Sequence, residues 1–202
     1  KRYDALMKAV EEDPFNRVRT CVDEINFFKE RKHYVRRILD LLEAGVIPER
    51  VTHNDTKLNN VLINPKTNKA ITVIDLDTVM KGSVIYDFGD AIRFGASKAL
   101  EDEVDLNKVK IDLSLFEEFT MGFLKETKDI LVETEIDHLA FGPILITMEL
   151  AMRFLTDYLL GDKYFKVKYE SHNLVRAKNQ RRLVQELEDN LDLMEAIINK
   201  YK

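Results

Sequence analysis

One histidine, two carboxylates and an asparagine stand close together in a single stretch of this sequence. His53 is followed by Asp55, Asn60 comes five residues later, and Asp75 stands at the end of an apolar run. Phosphoryl transfer needs a carboxylate that accepts or orients the proton of the attacking hydroxyl, and oxygen ligands that hold Mg²⁺ on the phosphates. The pattern therefore predicts that Asp55 faces an acceptor hydroxyl and that Asn60 and Asp75 bind the metal.

The elements that must position these residues are two short apolar runs. Residues 61–63 (VLI) and 71–74 (ITVI) are β-branched, and the turn-forming segment NPKTNK separates them. This predicts a buried antiparallel hairpin that brings Asp75 back beside Asn60. In the alternative interpretation, Asp55 and Asn60 only cap turns and Asp75 only ends a strand.

Helical periodicity surrounds the hairpin on both sides. It predicts helices over 3–12, over 18–44 as one long amphipathic helix, and near 84–94, 112–127, 134–160 and 170–199. We expect Pro143 to start or kink the helix at 134–160 and Gly161 to end it. The charged segment 101–110 is expected to be a surface loop. The fold class is mainly α with a small β-hairpin, divided into leading helices (1–50), a catalytic loop with the metal-binding hairpin (51–82) and a helical substrate-binding region (83–202).

Composition excludes several classes of protein. The 202 residues carry a net charge of −5 with both signs interspersed, so the basic stripe that nucleic acid requires is missing. No apolar run is long enough to cross a bilayer, and a single cysteine, Cys21, cannot form a disulfide framework. With no signal peptide, we expect a cytoplasmic protein whose partner is a small molecule rather than nucleic acid or a membrane. The oligomeric state is left open.

Two segments carry a family resemblance. HNDTKLNN, at 53–60, resembles the catalytic loop of the aminoglycoside-phosphotransferase and choline-kinase group, and ITVIDLD, at 71–77, resembles the metal-binding segment of that group. The resemblance implies a protein-kinase-like C-terminal lobe that uses ATP and Mg²⁺. It also implies that Asp55 is the catalytic base, that Asn60 and Asp75 bind the metal, and that His53 braces the loop.

The triplet DFG at 87–89 spells the metal-binding motif of protein kinases, but it lies 32 residues after Asp55 and follows no apolar strand. We therefore keep the metal at Asp75. From the resemblance, we expect the Asp87 carboxylate to brace the catalytic loop through the backbone amides of residues 52–55.

Two further residues are candidates near the reacting groups. Asp77 lies two residues after Asp75 and, on an extended segment, would point to the same side, so it could contact the metal directly or through water. A surface role is the alternative. Lys57, inside the catalytic loop, is a candidate for neutralising phosphate charge, and an ordinary solvated lysine is the alternative.

Four longer runs are similar to the N-acetylhexosamine 1-kinases: THNDTKLNNVL, VIDLDTVMKGSVIYDFGDAIRFGA, AMRFLTDYLLGDKYFK and HNLVRAKNQ. This resemblance implies transfer of the ATP γ-phosphate to the anomeric hydroxyl of an N-acetylhexosamine. Its segments offer sugar contacts from Asp90, Arg153, Asp157, Tyr158 and Tyr164. The structural alternatives are an Asp90 pair with Arg93, and an Arg153 pair with Glu149 or Asp157 one helical turn away.

Other functions stay open at this point. A choline- or aminoglycoside-type kinase is one alternative, and a pseudokinase-like binding module is another. Kinases of this type place a phosphate-covering loop and a strand lysine on a separate N-terminal β-lobe. The sequence has no strand-rich region before residue 51 and no Gly-rich loop. We therefore expect that lobe to be absent from this sequence and the chain alone to be inactive.

Overall fold

The computed structural model describes all residues, 1–202, as a helical protein with two small antiparallel sheets. The helices are α1 (Arg2–Glu12), α2 (Val22–Glu30), α3 (Arg37–Glu43), α4 (Val84–Gly95), α5 (Leu113–Thr127), α6 (Glu133–Asp137), α7 (Phe141–Leu159), α8 (His172–Asp189) and α9 (Leu191–Tyr201). The strands are β1 (Arg50–Thr52), β2 (Val61–Ile63), β3 (Ala70–Val73) and β4 (Met80–Gly82). The mainly helical character predicted from the sequence is confirmed. None of the helices is long and apolar enough to span a membrane.

Helix α7 is the centre of the core. It packs against α8, α4 and α1, and most of its side chains are buried because it is apolar almost all round. Pro143 lies in its first turn, where a missing backbone N–H removes no helical bond. Gly161 follows its end with φ +90°, a conformation that favours glycine, so both predictions for this helix are confirmed.

Helices α4 and α7 cross at two glycines. A Cβ added to Gly89 would lie 2.5 Å from the carbonyl carbon and oxygen of Gly142, and a Cβ added to Gly142 would lie 2.5 Å from the carbonyl oxygen of Ile85. The two backbones can approach this closely only because neither position has a side chain. The glycine of the DFG triplet therefore sets the distance between these two helices.

The predicted hairpin forms, but its surroundings differ from the prediction. Strands β2 and β3 pair antiparallel, with Val61 opposite Val73. Contrary to our expectation of a buried hairpin, both strands are largely exposed, because the helices do not cover either face. A second two-stranded sheet, which the sequence analysis missed, pairs β1 with β4 and closes the base of the hairpin region.

Three predicted helices are interrupted. The stretch 18–44 divides into α2, α3 and 3₁₀ turns at Val18–Thr20 and Lys32–Arg36, 134–160 divides into α6 and α7, and 170–199 divides at Asn190 into α8 and α9. Cys21, at φ −142° and ψ 31°, leaves the helical region between the first 3₁₀ turn and α2. Periodicity cannot detect such breaks, because each piece keeps the helical spacing while it turns toward a different neighbour. The segment 101–110 is mostly irregular, as predicted, with a 3₁₀ turn at Leu106–Lys108.

Candidate active site

The catalytic loop begins directly after β1 and is held by the carboxylate of Asp87 from the first turn of α4. The backbone amides of His53 and Asn54 donate to the two Asp87 oxygens at 2.8 and 2.7 Å, and the Thr56 hydroxyl donates to the Asp87 carbonyl. Burial raises the pKa of Asp87, and the hydrogen bonds from the two backbone amides oppose that rise. This contact is the one expected from the sequence, and its importance for activity stays a prediction.

The loop is also joined to the segment that leads into β4. Asn54 adopts φ 63° and donates from its side-chain amide to the carbonyl oxygens of Thr52 and Thr78, at 3.2 and 3.0 Å. The Thr78 hydroxyl donates to the His53 carbonyl at 2.7 Å. Sequence reasoning missed Asn54 and Thr78. The signal available was the asparagine, a residue that tolerates the left-handed conformation.

His53 connects the catalytic loop to the metal-binding segment. Its Nδ1 accepts from the Asp55 backbone amide at 3.3 Å, so Nε2 must carry the proton that it donates to the Ile74 carbonyl at 3.0 Å. The Ile74 amide donates in turn to the Asn60 carbonyl at 2.9 Å. Both backbone groups of the residue before Asp75 are therefore held by the catalytic loop.

Asp55, Lys57 and Asn60 come together at the end of the loop. One Asp55 oxygen, Oδ2, accepts from the Lys57 ammonium at 2.7 Å and from the Asn60 side-chain amide at 3.0 Å. The same Asn60 amide also donates to the Asp55 carbonyl at 2.8 Å, which fixes the orientation of the buried Asn60 side chain. Lys57 thus pairs with the candidate base, and the second Asp55 oxygen remains available to a ligand.

The two aspartates of the metal-binding segment are exposed. Asp75 follows the hairpin with φ 62°, and Asp77 lies in the 3₁₀ turn Leu76–Thr78. Our expectation that Asp75 and Asp77 lie on the same side of an extended segment is therefore wrong: the left-handed residue and the turn end the strand geometry before Asp77. The chain needs this turn because Thr78 must reach the catalytic loop.

The oxygen atoms near Asn60 and Asp75 suit a magnesium ion. The orientation of the Asn60 amide leaves its side-chain oxygen without a donor, and the Asp75 carboxylate makes no hydrogen bond or ion pair. No three side chains of the His, Cys, Asp or Glu type form a cage. Mg²⁺ commonly takes only one or two carboxylates from the protein and completes its shell with phosphates and water, so the residues present fit the ion.

A cavity of about 650 Å³ opens beside Asp55. It is formed by the catalytic loop, α4, α7, the segment after α7, and α8. It is lined by Arg2, Asn54, Asp55, Lys57, Met80, Tyr86, Asp90, Arg93, Glu101, Ile146, Glu149, Leu150, Arg153, Phe154, Phe165, Lys166 and Arg176. Its size is typical of small-molecule sites. Two of the predicted substrate-binding residues, Asp90 and Arg153, lie in its wall.

Asp90 is nearly buried, and only one of its two carboxylate oxygens accepts hydrogen bonds. Its Oδ1 accepts from Nε and Nη2 of Arg93, at 3.0 and 2.9 Å, and Arg93 also reaches Glu101 at 3.4 Å. The other oxygen, Oδ2, is closed off from water and has no partner. The Asp90–Arg93 pair that the sequence analysis left open therefore exists, and it leaves one carboxylate oxygen of Asp90 unused.

Arg153 does not make either of the ion pairs considered above. Glu149 pairs instead with Arg2 at 3.3 Å, and Asp157 accepts three backbone amides of residues 163–165, each at 2.9 Å. Arg153 stacks on the loop aromatics and lies 3.4 Å from the hydroxyl of Tyr164. Helical spacing put the carboxylates within reach, but other partners compete for them.

The remaining aromatic candidates lie outside the main cavity. Tyr164 is 74% exposed and lines a smaller neighbouring cavity of about 210 Å³, which shares Arg153 with the main one. Tyr158 is buried, with its hydroxyl 3.0 Å from that of Thr20. Asp157 and Tyr158 thus have structural contacts in place, and Asp157, in the last turn of α7, accepts hydrogen bonds from the segment that follows the helix.

The loop that carries Glu101 is fastened to α8, a feature that the sequence analysis missed. The buried ring of His172 lies 3.2 Å from the Asp102 carboxylate, and Asn179 donates to the carbonyls of Leu100 and Glu103 at 3.1 and 3.0 Å. The nearby Lys168 ammonium lowers the pKa of Asp102. This part of the cavity wall is therefore firmly held despite its irregular backbone.

This chain belongs to the phosphotransferase enzyme family, whose model matches residues 7–124. The match covers the catalytic loop, the hairpin, α4 and most of α5, and it confirms the coarser resemblance to aminoglycoside phosphotransferases and choline kinases. The chain is accordingly a kinase-type enzyme of a family that acts on small molecules and generally uses ATP and a divalent metal.

Proposed function

We propose that the protein transfers the γ-phosphate of ATP to a hydroxyl of a small molecule held in the 650 Å³ cavity, with Asp55 beside that hydroxyl. The observation that carries the proposal is the position of Asp55. Its carboxylate lies in the cavity wall, and Asn60 and Lys57 orient it through a single oxygen. The other oxygen is then free to accept the proton of the attacking hydroxyl.

The remaining residues support this transfer in distinct ways. Asn60 and Asp75 would bind Mg²⁺, which neutralises charge on the phosphates when bound. Asp77 would contact the ion only through water, since the turn directs the chain away from Asp75. Lys57 holds Asp55 and can also face the transferred phosphate. His53 and Asp87 fix the loop rather than touch substrate.

We further propose that the acceptor is a polyhydroxyl compound without a positive charge, with the anomeric hydroxyl of an N-acetylhexosamine as the first candidate. An anomeric hydroxyl is more acidic than an ordinary alcohol, so a carboxylate is a sufficient acceptor for its proton. Asp90 offers an unused oxygen to a sugar hydroxyl, and Arg153 offers donors. Tyr164 lines the neighbouring cavity, which shares Arg2, Arg153 and Phe165 with the main one.

The charge of the cavity argues against a choline- or aminoglycoside-type acceptor. Lysines and arginines outnumber aspartates and glutamates by six to four among the lining residues. Two of the three aromatic rings in the lining already have a cation over them, since Arg176 lies 5.3 Å from the Phe154 ring and Arg153 lies 5.4 Å from the Phe165 ring, while Tyr86 has none. A cationic acceptor beside Phe154 and Phe165 would therefore meet like charge in place of a free aromatic face.

The test compares Asp55→Asn with Asp75→Asn in the full-length enzyme, by titrating magnesium at saturating N-acetylglucosamine and following sugar 1-phosphate. Asp55→Asn should lower kcat by roughly 10²–10⁴-fold with little change in magnesium affinity. Asp75→Asn should raise the magnesium concentration that the reaction requires. Asp77→Asn is the control, with a small effect on both.

Three outcomes would change the proposal. If excess magnesium rescues Asp55→Asn but not Asp75→Asn, the two roles are reversed. Activity on choline or an aminoglycoside, without activity on the amino sugar, keeps the kinase and discards the acceptor. Nucleotide binding without transfer to any acceptor would favour the binding-module alternative.

A further inference from the structure

Two arginines on the cavity wall stack on neighbouring phenylalanine rings, and the proposed transfer gives Arg176 no role. Arg153 on α7 and Arg176 on α8 stack on the rings of Phe165 and Phe154, whose centroids are 4.6 Å apart. Each of the two neighbouring rings thus has a guanidinium group over it, and the two arginines are here called the arginine pair. Stacking restricts both side chains, so their donors are oriented before a ligand arrives.

The arginine pair lacks the carboxylate partner that three other cations of the cavity have. Lys57, Arg93 and Arg2 each pair with a carboxylate of the cavity: Asp55, Asp90 with Glu101, and Glu149, respectively. Neither Arg153 nor Arg176 has a carboxylate within 4.0 Å; their hydrogen bonds go to the Tyr164 hydroxyl, the Lys166 carbonyl and the Asn173 side-chain oxygen. The excess positive charge of the cavity is therefore concentrated at the arginine pair and the neighbouring exposed Lys166.

Arg176 also has an unmet hydrogen bond. Its Nε is closed off from water and has no acceptor, just as Oδ2 of Asp90 has no donor. Buried polar groups almost always have partners, so one unused donor and one unused acceptor in the wall of the same cavity indicate a ligand that supplies both. Because both atoms are shielded in the free protein, the ligand must shift the wall slightly to reach them.

We infer that Arg176, together with Arg153, binds a carbonyl-type oxygen on the non-reacting part of the acceptor, while Asp90 accepts from one of the acceptor's hydroxyls. The inference rests on the proposed function, since the acceptor is the molecule that occupies this cavity. A neutral acylamino group and a carboxylate both present such an oxygen, and both suit an unpaired guanidinium. A protonated amine at the same position does not.

The experiment measures binding of four sugars to the protein by calorimetry: N-acetylglucosamine, glucuronate, glucose and protonated glucosamine. We expect N-acetylglucosamine or glucuronate to bind about 10–100-fold more tightly than glucose, the range for one hydrogen bond to a charged group. Glucosamine should bind no better than glucose. The sugar that gains most identifies whether the oxygen belongs to an acylamino group or a carboxylate.

Arg176→Gln should remove that advantage and leave glucose binding unchanged. Lys166→Gln, which removes a nearby positive charge without removing the guanidinium, is the matched control and should keep the advantage. Thermal melts check the fold of each variant. If Arg176→Gln does not fold, Arg176→Lys keeps a cation over Phe154 but lacks Nε, and it should reduce the same ratio.

One result would overturn the inference while the proposed function stands: Arg176→Gln leaves the ratios among the four affinities unchanged, whether or not all four fall together. A different result would show that the proposed sugar acceptor itself is wrong. If the unaltered protein binds none of the four sugars, the sugar acceptor is wrong and the inference falls with it. That outcome is seen before any variant is made.

Discussion

Replacing Gly89 by alanine tests the reasoning about how α4 is placed beside the catalytic loop. The added Cβ would lie 2.5 Å from two backbone atoms of Gly142 and 3.0 Å from the Pro143 nitrogen. These atoms belong to the backbone of α7, so no side chain can rotate away. The helices must separate, and α4 carries both Asp87 and Asp90 with it.

Two opposing effects set the size of the change. Alanine favours a helix over glycine by about 1 kcal/mol. Overpacking a tight contact costs about 1–3 kcal/mol, and a clash with backbone belongs at the upper end. We expect Gly89→Ala to lose about 1–2 kcal/mol of unfolding free energy in total, or roughly 2–8 °C in Tm for a chain of this size.

Gly122 provides the matched control, because it lies inside α5 and a Cβ there would meet nothing within 4 Å. Gly122→Ala should therefore gain about 0.5–1 kcal/mol from helix propensity alone. Thermal unfolding followed by circular dichroism measures both variants. Activity measured well below both melting temperatures should fall for Gly89→Ala and stay unchanged for Gly122→Ala. A Gly89→Ala protein as stable as Gly122→Ala would refute the close crossing of the two helices.

Two further predictions concern the catalytic loop. Asp87→Asn offers one acceptor where the amides of His53 and Asn54 need two, so kcat should fall about tenfold for one lost hydrogen bond. Burial raises the pKa of Asp87, so protonation of this carboxylate should reduce activity in acid at a higher pH than protonation of an ordinary aspartate would. Asp87→Asn should therefore move the acid limb of the plot of kcat against pH to lower pH. An acid limb at the same pH in both proteins contradicts this prediction. For His53, glutamine can replace the donor to the Ile74 carbonyl and asparagine can replace the acceptor for the Asp55 amide. His53→Asn should therefore need more magnesium than His53→Gln, by up to about tenfold, and equal magnesium requirements would show that His53 does not position the metal segment.

The parts of the fold that sequence patterns predicted are those set by nearby residues. The hairpin follows from two β-branched runs and a turn, while the contact of Asp87 with the loop amides was expected from the family resemblance of a motif within 35 residues. The end of α7 at Gly161 follows from a glycine with positive φ. In each case the residues that decide the structure are close in sequence, so spacing and residue type carry the information.

The parts that the sequence did not predict depend on distant partners. The sheet of β1 and β4 joins two three-residue strands across the whole catalytic region, and neither strand is long enough to give a pattern. Glu149 was available to Arg153 by helical spacing, but it pairs with Arg2 near the start of the chain. The cavity collects side chains from α1, β4, α4, α7, α8 and three loops, so its composition depends on how those elements pack.

The two left-handed residues of the site differ in what their side chains do. Asn54 and Asp75 both adopt a positive φ, a conformation that is unfavourable for most residues other than glycine. The side chain of Asn54 has a local purpose, since it donates to two carbonyl groups that join the loop to Thr78. Asp75 gains nothing comparable: its carboxylate is exposed and makes no hydrogen bond, while the residue before it is fastened at both its amide and its carbonyl. A strained residue whose backbone is held this firmly and whose charged side chain has no protein partner is what a metal ligand requires before the metal arrives. The strain at Asn54 is therefore offset by the hydrogen bonds of its own side chain, whereas the left-handed Asp75 belongs to the turn that takes Thr78 to the catalytic loop and leaves its carboxylate free for the proposed metal.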